Sequence, residues 1–122
     1  MENIYIWTVN GCEFELDMED AETAERYLSA MEILENARDM DFSNLLEKIR
    51  VYCKTFRDFY DTLLGKNASE KIFSGIKDNT RKYDEIFSSL LDFIARQRAV
   101  SSNRMNEISR KYAPKRQKRL KK

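Results

Sequence analysis

The sequence predicts a mainly α-helical α+β fold, in which an N-terminal β-hairpin packs on a bundle of three to four helices and a basic C-terminal tail follows. A length of 122 residues fits one domain. Three Gly and one Pro leave few places for turns, which favours long helices over a β-sandwich. Seven Phe, six Tyr and one Trp supply a core that disordered chains usually lack.

The hairpin prediction comes from two alternating segments, residues 3–9 and 12–16, on either side of Asn10-Gly11. This dipeptide favours a type I′ turn, which needs positive φ at both central positions. A two-residue turn fixes the register and places apolar side chains on one face. The expected pairs are Val9 with Cys12, Trp7 with Phe14, and Tyr5 with Leu16. Because a lone hairpin is marginal in water, this face must pack on helices or on another subunit.

The first two helices are predicted at residues 18–38 and 43–64. Asp17 or Asp20 can cap the first helix. Apolar residues recur at steps of three and four throughout the second. Gly65 stands where a left-handed C-cap glycine belongs. The stripe of the second helix comprises Leu45, Ile49, Tyr52, Cys53, Phe56, Phe59, Tyr60 and Leu63.

A short helix is predicted at residues 68–74. Asn67 and Glu70 have the spacing of a capping box at its start, and Gly75 can close it. Ile72 would attach this helix to the core.

A last long helix is predicted at residues 79–100, with a break at Ser101-Ser102-Asn103. A weaker helix at 101–113 would then end at Pro114. This pattern divides the chain into a hairpin and helical domain at 1–100 and a region at 101–122 that holds a short helix and a disordered basic tail.

The net charge of +1 hides a division between two segments. Residues 1–95 hold 11 basic and 20 acidic side chains, whereas residues 96–122 hold 11 basic and one acidic. Such asymmetry indicates a body and a tail. The tail either serves only solubility or binds an acidic protein surface, nucleic acid or an anionic membrane. The surface of a sister subunit is one such acidic partner, and the expected contacts from the tail are Lys115, Arg116, Lys118 and Arg119.

The residue inventory argues against an enzyme. There is no His, so the commonest general base and metal ligand is missing, and no CxxC spacing or phosphate-binding glycine loop is present. The pairs Asp58 with Asp61 and Glu19 with Asp20 are interpreted as solvated or capping carboxylates. Cys53, on an apolar stripe, is interpreted as a buried free thiol, as is Cys12. We therefore expect no catalytic residue, no cofactor and no metal site.

The N-terminal residues do not have the pattern of a signal peptide, and no segment approaches the length of a membrane span. The expected location is the cytoplasm, without membrane attachment.

The stretch from Cys53 to Phe93 resembles small tailed-phage proteins of the tail assembly chaperone-like group. The similar features are an aromatic-aromatic-acidic run before a glycine, a short helix ending in Phe-Ser-Gly, and a long aromatic-bearing helix through Tyr83, Phe87 and Phe93. The N-terminal Asn-Gly strand pair and the basic end after Tyr112-Ala113-Pro114 are similar too. The chain departs from that group in having Phe-Ser-Gly where Phe-Gly-Gly is more usual.

The resemblance implies a protein of a phage or prophage of a Gram-positive host that binds a tape-measure or tail-tube component during tail morphogenesis. The expected protein contacts are Phe87, Leu91 and Phe93 of the last long helix, because its apolar stripe is wide enough for both a core and a partner. Homo-oligomerisation is a further expectation. The alternative is a small nucleic-acid-binding regulatory or accessory protein that uses the basic tail.

Overall fold

The computed structural model describes residues 3–112 and confirms the predicted fold class, a two-stranded hairpin with four helices. The elements in chain order are β1 (Ile6–Val9), β2 (Cys12–Glu15), α1 (Ala21–Arg38), α2 (Leu45–Leu64), α3 (Ala68–Ile72) and α4 (Thr80–Tyr112).

The hairpin has the predicted register, with Trp7 opposite Phe14 and Val9 opposite Cys12 in antiparallel pairing. Asn10 and Gly11 adopt φ values of 47° and 75°, so both central turn positions are positive as expected. The Asn10 amide also donates hydrogen bonds to the carbonyl oxygens of Ile72 and Ser74. The turn residue that shapes the hairpin thus also fixes its tip to the end of α3.

Helices α1 and α2 pack on each other, and each begins at a side-chain cap. Asp20 accepts a hydrogen bond from the backbone N–H of Thr23, so α1 begins later than predicted, and Asn44 caps α2. At the end of α2, Gly65 has φ 109° and ψ 164°. This positive φ suits glycine, but the ψ is extended instead of the left-handed helical value that was predicted.

The capping box predicted for α3 is wrong. Asn67 has φ 69° and its side chain makes no capping hydrogen bond. Asp61, near the end of α2, caps α3 instead. Its carboxylate accepts hydrogen bonds from the backbone N–H of Ser69 at 2.8 Å and from the Ser69 hydroxyl at 3.0 Å. A cap supplied from the preceding helix holds α3 against α2.

The break predicted at Ser101-Ser102-Asn103 is also wrong, because α4 runs unbroken over 33 residues. Serine and asparagine each cost a helix only about 0.5 kcal/mol relative to alanine. The segment contains neither Gly nor Pro, so nothing in it stops the helix. The predicted disordered tail lies outside the described residues.

Aromatic rings from four elements form the centre of the core. Trp7 of β1 stacks on Tyr60 of α2 at a centroid distance of 5.8 Å, and Phe73 stacks on Tyr83 of α4 at 3.9 Å. The Trp7 indole N–H also donates to the hydroxyl of Ser89, which joins the hairpin to α4.

A buried glutamine fixes the base of the hairpin. Gln97 of α4 is only 2% exposed. Its amide nitrogen donates to the carbonyl oxygens of Ile4 and Leu16 at 2.8 and 2.7 Å, and its amide oxygen accepts from the backbone N–H of Met18 at 2.6 Å. The side chain therefore satisfies backbone groups on both sides of the hairpin, where the chain enters β1 and leaves β2.

Candidate protein-binding surface

An open groove of about 380 Å³ lies between α1 and α2, near the loop that joins them. Its apolar walls come from Leu34 and Ala37 of α1, Phe42 of the loop, and Val51 and Phe56 of α2. Phe42, in the loop between the two helices, is half buried, and Phe56 belongs both to this lining and to the aromatic core.

Exposed apolar residues occur in the same segment of the chain as part of the groove lining, between Arg38 and Lys48. Leu45 and Leu46, at the start of α2, are 71% and 59% exposed, and Met40 of the loop is half exposed. We call these three residues with the groove the α1–α2 end. Scattered exposed leucines are ordinary, but three exposed apolar residues close in sequence to the lining of an apolar groove indicate a candidate binding surface.

The polar groups that line the groove determine which side chains it can bind. Arg38 and Lys48 supply cationic groups to the lining. Tyr52 forms part of the wall and donates a hydrogen bond to Asp84. Burial raises the pKa of Tyr52, and the Asp84 carboxylate raises it further, so the phenol stays neutral. The groove can thus hold apolar side chains and pair acidic ones, but it presents no activated nucleophile.

A second apolar surface lies on the C-terminal part of α4. From Ala99 to Tyr112 every residue except the half-buried Ser101 is exposed; we call residues 99–112 the α4 extension. Its apolar stripe is Met105, Ile108 and Tyr112, at steps of three and four. The same steps lead back through Ser101 and Gln97 to the buried Ile94 and Leu90. The stripe is therefore the core-facing side of α4, continued beyond the hairpin and helices that cover it.

Of the three predicted contact residues, only Leu91 is exposed, at 41%. Phe93 is 5% exposed and belongs to the core, so its prediction as a surface contact is wrong for the folded chain. Phe87 is half buried and packs on Phe56 and Phe59, at centroid distances of 5.0 and 5.6 Å. The stripe of α4 is wide because this helix packs on both α2 and β1.

The predicted tail contacts Lys115, Arg116, Lys118 and Arg119 lie outside the described residues. The basic segment nevertheless begins within α4, where Arg104 forms an ion pair with Glu19 at the start of α1. This contact keeps the base of the α4 extension beside the N-terminal end of α1.

The acidic pairs considered for acid–base chemistry have structural roles. Asp20 caps α1 and Asp61 caps α3, while Asp58 forms an exposed ion pair with Lys54 at 2.9 Å. The hydrogen bond from Arg104 lowers the pKa of Glu19, so this carboxylate stays ionised. A lowered pKa is the opposite of what a general acid at neutral pH requires of Glu19.

The interpretation of Cys53 as a buried thiol is confirmed, since its side chain is fully buried and burial raises its pKa. Cys12 is also a free thiol, half buried against the carbonyl oxygen of Lys71. Within residues 3–112, His, Cys, Asp and Glu form no cluster of three that could hold a metal ion. Over the same residues, no helix combines the length and the apolar character that crossing a bilayer requires.

Residues 10–122 match a family described as a family of unknown function, DUF6673. The chain belongs to this family. No curated protein and no solved structure matches it. The match covers the second strand, the four helices of the described residues and the basic segment.

Sequence reasoning missed the α1–α2 end and assigned the stripe of the α4 extension to a separate short helix. Leu45 begins the α2 stripe in the sequence and was counted with its core residues. The sequence signal for the extension is the series of residues at steps of three and four from Leu90 to Tyr112. This series is longer than the part of α4 that the hairpin and the other helices cover.

Proposed function

We propose that this protein binds an apolar helical segment of another protein, and that it acts as a tail assembly chaperone-like protein on a tape-measure or tail-tube component in the host cytoplasm. The observation that carries the proposal is the α1–α2 end, which combines an open apolar groove with the exposed Leu45 and Leu46, a few residues before Lys48 of its lining. The resemblance of the stretch from Cys53 to Phe93 supplies the choice of partner.

The shape of the surface favours a polypeptide over a small molecule. Small-molecule sites are concave pockets of about 300–1,000 Å³ that enclose most of the ligand. This groove is at the low end of that range and is open to solvent, and the exposed Leu45 and Leu46 of the same helix are not part of its lining, so a small ligand in the groove would leave them uncovered. An amphipathic helix lying in a groove buries both parts at once.

The proposal is tested by co-expressing the full chain with the tape-measure and tail-tube proteins of a phage or prophage whose genome encodes it, followed by size-exclusion chromatography of the soluble fraction. The double variant Leu45→Asp, Leu46→Asp should weaken binding by at least about tenfold, since burying a leucine contributes about 1.5–3 kcal/mol. Both leucines are exposed and lie at a helix N-terminus, where acidic side chains are favourable, so the fold should be retained.

Two further variants locate the contact. Val100→Asp makes the same kind of change at an exposed residue away from the groove, and should bind normally. Leu91→Asp tests the contact predicted from the sequence. The thermal unfolding midpoint of this variant should equal that of the wild type, because Leu91 is exposed.

Three results would overturn the proposal. One is that no tail protein co-elutes with the wild-type chain. Another is that the leucine double variant binds as tightly as wild type. The third is that the chain shifts a DNA or RNA probe and loses this on removal of residues 115–122, which would instead support the nucleic-acid alternative.

A further inference from the structure

The charge of the chain is concentrated on two separate stretches. Residues 13–41, from β2 through the loop after α1, contain eleven acidic and two basic side chains, a net charge of −9. The rest of residues 1–95 is neutral overall, because it contains nine acidic and nine basic side chains. The net negative charge of residues 1–95 therefore lies on residues 13–41, around α1, and the net positive charge of the chain lies on residues 96–122.

The outward side of α1 combines this charge with an exposed leucine. Glu25, Leu28, Glu32 and Glu35 recur at steps of three and four and are all exposed, on the side opposite the residues that α1 buries. We call these four residues the acidic face of α1. No ion pair within residues 3–112 involves its three carboxylates, and Leu28 is among the most exposed hydrophobic residues of that range.

The α4 extension has the complementary pattern. Its stripe of Met105, Ile108 and Tyr112 is apolar, and Arg98 and Lys111 flank it on its two sides. The 14 residues of the extension span about 21 Å, which fits within the length of about 27 Å of the 18-residue α1.

The extension does not cover the acidic face of its own chain, because both surfaces are exposed. Arg104 pairs with Glu19, just before α1, and from there α4 continues as one unbroken helix with no turn that would return it along α1. Each copy thus exposes an apolar, basic helix and an apolar, acidic helix that cannot pair within one chain.

We propose that the α4 extension of one copy docks on the acidic face of α1 in a second copy. Met105, Ile108 and Tyr112 would cover Leu28, and the flanking Arg98 and Lys111 would face the carboxylates of α1. Pairing two copies of the extension would instead bring its like charges together, which disfavours that arrangement.

The association is measured by sedimentation of the purified full chain alone over a wide concentration range, at low ionic strength and at about 1 M salt, where the Debye length is about 3 Å. We expect concentration-dependent self-association that weakens at high salt. Ile108→Asp should weaken it by about tenfold or more without changing the thermal midpoint, because Ile108 is exposed.

Charge reversal distinguishes this contact from a general effect of net charge. The double variant Glu25→Lys, Glu32→Lys should dissociate the oligomer. Combining it with Arg98→Glu, Lys111→Glu in one chain should restore association, because the signs are exchanged on both surfaces. The control Glu85→Lys, Asp92→Lys makes the same change in net charge on the outward side of α4 and should associate like wild type.

A monomer at every concentration would overturn the proposal and leave the stripe for a different partner. It would equally be overturned if the α1 double variant and its control lost association to the same extent, or if the combined variant failed to recover. Because only the purified chain is present, these results do not depend on whether a tail protein binds the α1–α2 end.

Discussion

Replacing Gln97 with leucine tests whether one buried amide holds the hairpin on α4. The change removes the partners of three backbone groups, the carbonyl oxygens of Ile4 and Leu16 and the N–H of Met18. Leaving a buried polar group unsatisfied costs about 1–3 kcal/mol. Ile4 and Met18 are half buried, so water can recover part of the loss. We therefore assign about 1 kcal/mol to each of the three backbone groups and expect the free energy of unfolding to fall by about 3 kcal/mol.

The assay is urea denaturation followed by tryptophan fluorescence, because Trp7 lies in the hairpin and stacks on Tyr60. Hydrogen exchange at the Met18 amide should accelerate in the variant, since its acceptor has been removed. Asn106→Leu makes a comparable polar-to-apolar change at an exposed position of α4 and should stay within about 0.5 kcal/mol of wild type. If Gln97→Leu unfolds at the wild-type midpoint with the wild-type slope, the role assigned to this side chain is refuted.

Three further changes test other contacts. Tyr60→Phe should leave the free energy of unfolding unchanged or raise it by about 1 kcal/mol, because the Tyr60 hydroxyl is buried and has no hydrogen-bond partner; a loss above about 1 kcal/mol in thermal melts would contradict this. Asp61→Ala should cost about 1–2 kcal/mol by removing the α3 cap, whereas Asp58→Ala, which breaks only an exposed ion pair, should cost less than about 1 kcal/mol; equal losses in urea titrations would count against the cap. Glu19→Gln should be less stable than wild type at neutral pH, and the difference should disappear as pH falls below the ordinary glutamate pKa of 4.5, because Arg104 lowers the pKa of Glu19 and the contribution is lost on protonation; a difference that persists through the acid range would refute the pairing.

The parts of the fold that depend on local sequence were predictable. The turn at Asn10-Gly11 sets the register of the hairpin from adjacent residues alone, and the stripe of α2 is determined by spacing within one helix. The α3 cap was missed because its acceptor, Asp61, is eight residues from Ser69 and belongs to another helix. Gln97 was missed because its partners are 79 to 93 residues away, and nothing in the sequence marks a helical glutamine as buried.

The candidate surfaces were only partly predictable, and α4 shows why. Phe93 and Leu91 lie two residues apart on a wide apolar stripe, yet one is buried and the other exposed. Helical periodicity gives the direction of a side chain but not the number of elements that cover the helix. From the sequence alone, the width of the stripe favours a partner, whereas in the structure two covering elements, α2 and β1, account for most of that width.

The length of the stripe is the more informative quantity. The core-facing residues of α4 continue at helical spacing from Leu90 to Tyr112, but the hairpin and α2 cover this side only as far as Gln97. Beyond that point Ser101 is half buried and the other residues of α4 are exposed, and an isolated helical segment of this length is marginal in water. An apolar stripe at Met105, Ile108 and Tyr112, which spans about two turns, with cations beside it and unpaired carboxylates on α1, is therefore best explained by a surface on a second polypeptide.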